Sequence, residues 1–221
     1  MNSLASSKKI ISLVPSQTEL LVDLGLENQI VGITKFCIHP NHLKKEKTIV
    51  GGTKNIKIEK IKNLKPDIIL CNKEENTKEI VEACQQIALT HVSELYTLKD
   101  TKKLIYEYGD FFNCKSNSQQ IIKELNSLEN DFLKFIKNKE KLKVAYFIWK
   151  KPWMVAANNT FVNHILELNK FDNVFKNLKR YPEITIQELT NKKDLDLILL
   201  SSKPYPFKEK DAIELEKITK T

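Results

Sequence analysis

The stretch "SNSQQIIKELNSLENDFLKFIKNK" (residues 116–139) decides the fold that we predict for this chain. Its apolar residues recur every three or four positions, at Ile121, Leu125, Leu128, Phe132 and Phe135. The segment contains no glycine or proline. This spacing places the apolar side chains on one face of an α-helix. A helix of about 24 residues is roughly twice the usual length of about 11 or 12. We therefore predict a bridging helix over residues 116–140 between two other parts of the chain.

On both sides of this helix, apolar runs alternate with amphipathic segments. The predicted strands are 10–14, 30–33, 67–71, 90–92, 143–149 and 196–200. The predicted helices are 17–24, 58–64, 77–88, 98–108, 161–168, a further helix near Gln187, and 208–219. Ser16 with Glu19, and Asn76 with Glu79, predict helix N-caps. Such alternation indicates parallel strands joined by helical crossovers. The predicted class is α/β, with an N-terminal lobe at 1–115 and a C-terminal lobe at 141–221.

The two halves contain similar segments in the same order. "IEKIKNLKPDIIL" (58–70) and "QELTNKKDLDLILL" (187–200) each place a glutamate eight residues before the aspartate that opens an apolar strand. "LGLENQIVG" (24–32) likewise resembles "LNKFDNVFK" (168–176). Two echoes in one order indicate an internal duplication. By this symmetry the second half lacks at least one strand and one helix, so we expect an incomplete C-terminal lobe at Thr221.

Composition excludes several other classes of protein. No stretch approaches the roughly 20 apolar residues of a membrane span. The short polar segment Met1–Lys9 has no apolar core of a secretory signal, although a chain that begins after a removed signal would look the same. The net charge is +8, but lysines are mixed evenly with acidic residues, which predicts a solvated surface and no nucleic-acid partner. Four cysteines without a CxxC pair do not indicate a disulfide framework.

The residues that follow the predicted strands are the candidate ligand site, since ligands of parallel α/β sheets bind beyond the carboxyl ends of the strands. In the first half these are Pro15, Ser16, Gln17, Lys35, Phe36, Gly52, Thr53, Lys54, Asn72 and Lys73. In the second half they are Trp149, Lys151, Trp153, Tyr181 and Tyr205. Lysine and aromatic side chains together suit a flat ligand that carries carboxylates or phosphates.

Signals for catalysis or a metal centre are weak. Cys37 and His39, with His42 nearby, offer too few ligands for a closed metal site. No carboxylate is marked to orient a Cys37–His39 nucleophile pair, and "GGTK" (51–54) lacks the spacing of a phosphate-binding P-loop. We therefore predict a binding protein without catalytic cofactor or resident metal; a chelatase-like enzyme using Cys37 and His39 is the weaker alternative.

Several ordered segments resemble one known family. "KKIISLVPSQTELLVDLGLENQIVGITKFCIHP" (8–40), "VGGTKNIKIEKIKNLKPDIILCNKEEN" (50–76), the long helix and "LELNKFDNVF" (166–175) carry the resemblance, which extends to about residue 207. The family is that of the helical-backbone substrate-binding proteins of ABC importers, which are receptors for cobalamin, haem and ferric siderophores. It implies two lobes joined by one rigid helix, with a ligand cleft between them.

The resemblance also implies how such a protein works. "PSQ" (15–17) would form one wall of the cleft, where backbone N–H groups at a helix start favour an anionic group. Family members dock on their permease through one surface glutamate per lobe; Glu59 matches the first and Glu188 the second, with a shift to Gln187 still open. It further implies a location outside the cytoplasm, with contact to the membrane only through the permease or a lipid anchor that is not seen in this chain. We expect a monomer.

The resemblance leaves the ligand and the compartment open. Cobalamin-binding members line the cleft with aromatic residues, and Phe36 and Tyr181 match these, whereas Thr53 and Asn72 fall where further aromatics are expected. Tryptophans of the second lobe would compensate, and the lysines would equally suit an anionic iron chelate or haem. An intracellular carrier of a corrinoid or another metal complex is the alternative, so a cytoplasmic location also stays open.

Overall fold

A computed structural model describes residues 8–192 and 194–219 of the chain. The predictions about a signal segment at Met1–Lys9 and about an incomplete lobe at Thr221 concern residues that lie partly outside this range. The chain divides into two compact units, of which unit 1 extends to Glu94 and includes Thr101–Leu125, while unit 2 comprises Leu95–Asp100 and the chain from Asn126 onward. Two α/β units confirm the predicted fold class; the predicted boundaries at 115 and 140 stay predictions.

Unit 1 contains a five-stranded parallel sheet in the order β3-β2-β1-β4-β5. Its strands are β1 Ile10–Ser12, β2 Ile30–Ile33, β3 Thr48–Ile49, β4 Ile68–Asn72 and β5 Leu89–Ser93. Its helices are α1 Pro15–Asp23, α2 Leu43–Glu46, α3 Ile58–Leu64, α4 Lys78–Gln85 and most of α5 Leu98–Phe111. All residues of β1 and β4 are buried, which explains why these strands read as continuous apolar runs.

The core of unit 1 lies between this sheet and the crossover helices. Ile11 and Ile69 from adjacent strands pack in one cluster with Ile61 of α3. Cys71 and Cys84, which are fully buried, belong to the same cluster and behave there as small apolar side chains.

Two helix starts differ from the predictions. Helix α1 begins at Pro15 after an extended Val14, and no side chain caps it, so Ser16 is not an N-cap. Proline suits the first helical position because the missing N–H would have no intrahelical acceptor there. Helix α4 is capped by Thr77, whose side chain accepts a hydrogen bond from the N–H of Ile80, and the prediction of Asn76 as the cap is wrong.

The predicted long helix is present as α6, which runs from Lys115 to Ile136 over 22 residues. Its first part belongs to unit 1 and the remainder to unit 2. In unit 1, Asn117 donates to the carbonyl of Leu24 at 2.9 Å. Gly109 of α5 allows α6 to pack closely, because a Cβ at this position would collide with the side chain of the buried Ser118. No described helix is long and apolar enough to cross a bilayer.

Unit 2 contains a second five-stranded sheet, in the order β10-β6-β7-β9 with β8 also paired to β6. The strands are β6 Leu142–Trp149, β7 Trp153–Val155, β8 Phe171–Asn173, β9 Glu183–Ile184 and β10 Leu197–Leu200; the helices are α7 Phe161–Leu168, α8 Ile186–Thr190 and α9 Glu209–Thr219. Strand β6 pairs in parallel with β8 and β10 but antiparallel with β7, and β7 pairs antiparallel with β9. The expectation of a purely parallel second sheet is therefore wrong. The three residues between β6 and β7 are too few for a crossover and allow only a hairpin.

The structure explains the similar segments of the two halves. In unit 1 the N–H of Lys9 donates to Asp67 Oδ2 at 2.7 Å, immediately before β1 and β4 pair. In unit 2 the N–H of Lys143 donates to Asp196 Oδ2 at 2.6 Å, immediately before Val144 of β6 pairs with Leu197 of β10. Each aspartate therefore fixes the start of a parallel strand pair, which is β1 with β4 in unit 1 and β6 with β10 in unit 2.

We expect Asp67→Ala and Asp196→Ala each to lower the free energy of unfolding by about 1 kcal/mol, because each removes one hydrogen bond to a backbone N–H. Urea denaturation monitored by circular dichroism measures the change. Asp67→Asn and Asp196→Asn keep an acceptor oxygen and should lose less. An alanine variant as stable as the parent would contradict the role assigned to that aspartate.

Candidate functional site

The parallel strands of unit 1 all point their carboxyl ends to one edge of the sheet, which places most of the first set of predicted site residues there. Ser16, Lys35, Lys54 and Lys73 are exposed at this edge, and Pro15 is half-buried. Phe36 is 50% exposed. This edge therefore offers cations and one apolar ring to a ligand.

A pocket of about 600 Å³ lies beside the end of β3. Its lining consists of Lys35, Phe36, Ile49, Gly51, Gly52, Thr53, Lys54, Asn55, Lys57 and Lys60. The structure thus brings together five of the predicted site residues within unit 1. The sequence analysis did not predict Lys57 and Lys60, because Lys57 immediately precedes α3 and Lys60 lies in its first turn, not at a strand end. The several lysines between the "GGTK" loop and this helix could have indicated them.

The pocket loop has a defined backbone. The N–H of Gly52 donates to the carbonyl of Asn55 at 2.6 Å, and the N–H of Lys35 donates to the carbonyl of Gly51 at 2.8 Å. Gly51 has a φ of 126°, and a Cβ there would collide with the backbone of Asn55 and Ile56. Glycine is therefore required at this turn.

The side-chain amides of Gln17 and Asn72, two predicted site residues, are hydrogen-bonded inside unit 1. The side chain of Gln17 is 2% exposed; it donates to Ser93 Oγ and accepts from the hydroxyl of Tyr108 at 2.9 Å. Asn72 donates to Ser93 Oγ at 3.0 Å, and its own Oδ1 accepts from the N–H of Glu74 at 2.8 Å. Both amides are thus engaged inside unit 1, and we now interpret them as supports of the edge rather than ligand contacts.

Thr53 is connected to the same interior. Asn76, which is 4% exposed, donates to the carbonyl of Thr53 at 3.0 Å and accepts from the N–H of Asn72 at 2.9 Å. The residue predicted as a helix cap therefore joins the loop after β3 to the loop after β4. Thr53 itself is 7% exposed and lines the pocket.

Unit 2 gathers aromatic side chains at the ends of β6 and β10. Trp149 and Tyr205 meet edge to face at 5.4 Å between ring centroids, Tyr205 lies 4.7 Å from Phe207, and Trp153 is parallel to Phe207 at 6.3 Å. We call these four residues the aromatic cluster. Three of them were predicted as site residues, and Phe207 is an addition.

An ion-pair network lies next to Trp153 of the aromatic cluster. Lys150 Nζ lies 2.6 Å from Asp211 Oδ1 and 2.7 Å from Glu214 Oε2, and 5.1 Å from the ring centroid of Trp153. The hydrogen bond from Lys150 lowers the pKa of the Asp211 carboxyl, and Asp211 in turn raises the pKa of Lys150. The network thereby links the β6–β7 turn to the start of α9.

Two further predicted residues of unit 2 lie outside these ring contacts. Lys151 is an exposed residue of the β6–β7 turn. Tyr181 is half-buried in the segment before β9, next to Arg180, which donates to the hydroxyl of Tyr96 at 3.2 Å.

Cys37 and His39 do not form a reactive pair. Cys37 is fully buried, and its Sγ lies 3.1 Å from Thr18 Oγ1 and 3.3 Å from Thr34 Oγ1. His39 is exposed. Within residues 8–192 and 194–219, the only group of three or more possible metal ligands is Glu27, His42 and Glu46, whose ligand atoms lie within 4.8 Å of one another. His42 and Glu27 of this group are joined by a hydrogen bond of 2.8 Å.

The two predicted docking glutamates occupy equivalent helices. Glu59 lies in the first turn of α3 with its side chain 79% exposed, 2.8 Å from Lys62. Glu188 lies in the first turn of α8, where its carboxylate accepts from the N–H of Thr185 at 2.7 Å in a capping box, which lowers the pKa of Glu188. Gln187 is also exposed, so the structure leaves the one-residue alternative open.

We expect Tyr108→Phe to lower the free energy of unfolding by about 1–3 kcal/mol, because the buried carbonyl oxygen of Gln17 would lose its donor. Urea denaturation measures the change. Tyr106→Phe is the matched control on the same helix; this side chain is 55% exposed, and a surface change is expected to stay within about 0.5 kcal/mol. Equal losses in the two variants would refute the buried network.

Comparisons with known proteins agree with this architecture. An uncharacterized ABC transporter substrate-binding lipoprotein, YvrC of Bacillus subtilis, is 28% identical over 170 residues, covering 73% of this chain and 53% of its own. A vitamin B12-binding protein of Vibrio parahaemolyticus is 22% identical over 184 residues, covering 82% of this chain and 66% of its own. The chain thus spans about half to two thirds of the length of these relatives.

A solved structure shows the same fold. The periplasmic haem-binding protein HutB of Vibrio cholerae superimposes with a TM-score of 0.80 at 18% identity, covering 97% of this chain and 86% of its own. The sequence profile of the family described as "Periplasmic binding protein" matches residues 10–219, which is nearly the whole chain. The chain therefore belongs to the periplasmic binding protein family.

Proposed function

We propose that this protein is the substrate-binding component of an ABC importer, which captures a metal-containing small molecule and delivers it to a permease. The observation that carries the proposal is the presence of two α/β units, one before and one after the middle of α6 in the chain, with lysine and aromatic side chains at the carboxyl ends of the strands. Cobalamin, a ferric siderophore and haem are the candidate ligands. The cleft between lobes that the family resemblance implies stays a prediction.

Each unit contributes a surface suited to such a ligand. The pocket of unit 1 combines the exposed ring of Phe36 with several lysines. The aromatic cluster of unit 2 offers Trp149, which is 39% exposed, beside Tyr205. Rings of this kind stack on planar macrocycles or aromatic chelating groups, and the cations neutralise acidic groups on them.

Binding without catalysis fits the side-chain chemistry. The thiol of Cys37 is buried against two threonine hydroxyls, and the exposed His39 is not part of the metal-ligating cluster found among the described residues. The relatives are likewise named for binding. We therefore infer that the protein turns over no substrate and uses no catalytic cofactor.

The partner and the compartment follow from the same proposal. The relative in Bacillus subtilis is a lipoprotein of an ABC transporter, which supports an extracytoplasmic, membrane-associated protein here as well. Glu59 and Glu188, on equivalent helices of the two units, are proposed to contact the permease. We further propose that the protein acts as a monomer.

We expect a ligand from the candidate panel to raise the melting temperature by roughly 5–10 °C at a hundredfold excess over the dissociation constant, since binding then stabilises by about 2.7 kcal/mol. Differential scanning fluorimetry with cyanocobalamin, haemin and ferric siderophores measures the shift. The chain has only two tryptophans, both in the aromatic cluster, so their fluorescence should also be quenched by a coloured ligand. No shift with any member of the panel would contradict the proposed ligand class.

We expect Glu59→Gln with Glu188→Gln to leave ligand affinity unchanged and to reduce uptake by the ABC permease in proteoliposomes at least about tenfold, because two ion pairs of about 0.7 kcal/mol each would be lost. Glutamine at 188 keeps the acceptor that caps α8. Glu82→Gln with Glu216→Gln is the control, since it removes one exposed glutamate from each unit elsewhere. Equal uptake by the two double variants would refute these docking residues.

A further inference from the structure

The pocket of unit 1 is lined by positively charged side chains and by no acidic residue. Four of its ten lining residues are lysines and none is acidic. Other lysines of unit 1 pair with carboxylates, as Lys62 does with Glu59 and Lys73 with Glu94, both at 2.8 Å. Among residues 8–192 and 194–219, by contrast, no ion pair joins a carboxylate to any of the four pocket lysines; they are Lys35, Lys54, Lys57 and Lys60.

Two of these lysines contact uncharged carbonyl oxygens. Lys54 Nζ donates to the carbonyl of Glu74 at 2.7 Å, and Lys60 Nζ lies 3.5 Å from the carbonyl of Ile49. A carbonyl accepts a hydrogen bond without cancelling the charge of the ammonium group. The pocket therefore keeps a positive potential that concentrates anions.

The same pocket provides an apolar face next to the charge. Lys35 Nζ lies 5.0 Å from the ring centroid of Phe36. A Cβ on Gly52 would lie 3.1 Å from Cε2 of Phe36 and 3.3 Å from Cε of Lys35, so glycine at this position allows both side chains to lie close against the loop. A ligand that presents an aromatic ring with anionic oxygens would meet both features at once.

We propose that the cargo of this protein is an anionic metal complex, recognised in the pocket of unit 1 through its negatively charged oxygens. This inference rests on the proposed transport function and narrows its ligand class. It favours catecholate or carboxylate chelates of Fe³⁺ over uncharged complexes, because only the former neutralise the four lysines.

Binding of charge-matched complexes tests the proposal. We expect a trianionic ferric tris-catecholate complex or ferric citrate to bind at least about tenfold more tightly than an uncharged ferric tris-hydroxamate complex. Isothermal titration calorimetry and tryptophan quenching measure the dissociation constants. Raising the ionic strength from about 0.01 M to 0.1 M shortens the screening length from about 30 Å to about 10 Å, so the anionic complex alone should bind more weakly at the higher salt. Haemin is titrated separately, because its anionic oxygens belong to propionate groups.

Substitutions locate the effect. Lys35→Gln with Lys57→Gln removes two exposed pocket lysines and should weaken the anionic complex about tenfold, at roughly 0.7 kcal/mol for each charge. Lys44→Gln with Lys45→Gln on α2 changes the net charge equally outside the pocket and should have little effect. Equal affinity for charged and uncharged complexes, or equal effects of the two double variants, would overturn the proposal while leaving the transport function standing.

A titration without any metal complex distinguishes failure of the proposed anion pocket from failure of the proposed cargo. Titration of the protein with citrate, followed by ¹H–¹⁵N NMR, should shift the amide signals of Gly52 and Thr53 in the parent and much less in the Lys35→Gln, Lys57→Gln variant. Shifts at these amides without binding of any metal complex would support an anion pocket and contradict the proposed cargo. Unshifted amides would overturn the anion pocket itself.

Discussion

Parallel pairing of buried strands is the constraint on which the structure depends. Because a parallel neighbour can be reached only through a crossover, the chain must leave β1 and β4 through helices and return to the same side of the sheet. The carboxyl ends of all five strands of unit 1 therefore lie along one edge. The lysines, the exposed Phe36 and the glycine turn of the pocket lie at this edge because of that connectivity and not because they are close in sequence.

Strong periodic signals made much of the fold predictable. Helices α3 and α7 and strand β2 have the predicted bounds, since their apolar spacing and flanking residues agree. The long helix α6 was predictable because no glycine or proline interrupts its pattern. The short strands of unit 2 were not, because two or three residues carry no periodicity, and β7 lies in a segment whose hairpin turn holds lysines and a proline.

The placement of the candidate residues at the strand ends was predictable, but the direction of their side chains was less so. Strand ends indicated Lys35, Phe36, Gly52, Thr53 and Lys54, which line one pocket. They also indicated Gln17 and Asn72, whose amides turn inward to Ser93. Sequence position at a strand end does not tell which way a side chain points. That direction depends on partners far along the chain, such as Tyr108 for Gln17.

The inward-turned amides have a thermodynamic consequence for recognition. Gln17 and Asn72 both donate to Ser93 at the end of β5, and Asn76 joins the loops after β3 and β4. These internal hydrogen bonds fix the loops at this edge within the folded unit. The loss of backbone freedom in these loops is then part of the cost of folding and not of association. We therefore expect binding of the proposed ligand to unit 1 to resemble docking onto a preformed surface, with an entropy change governed by released solvent and ions rather than by chain ordering.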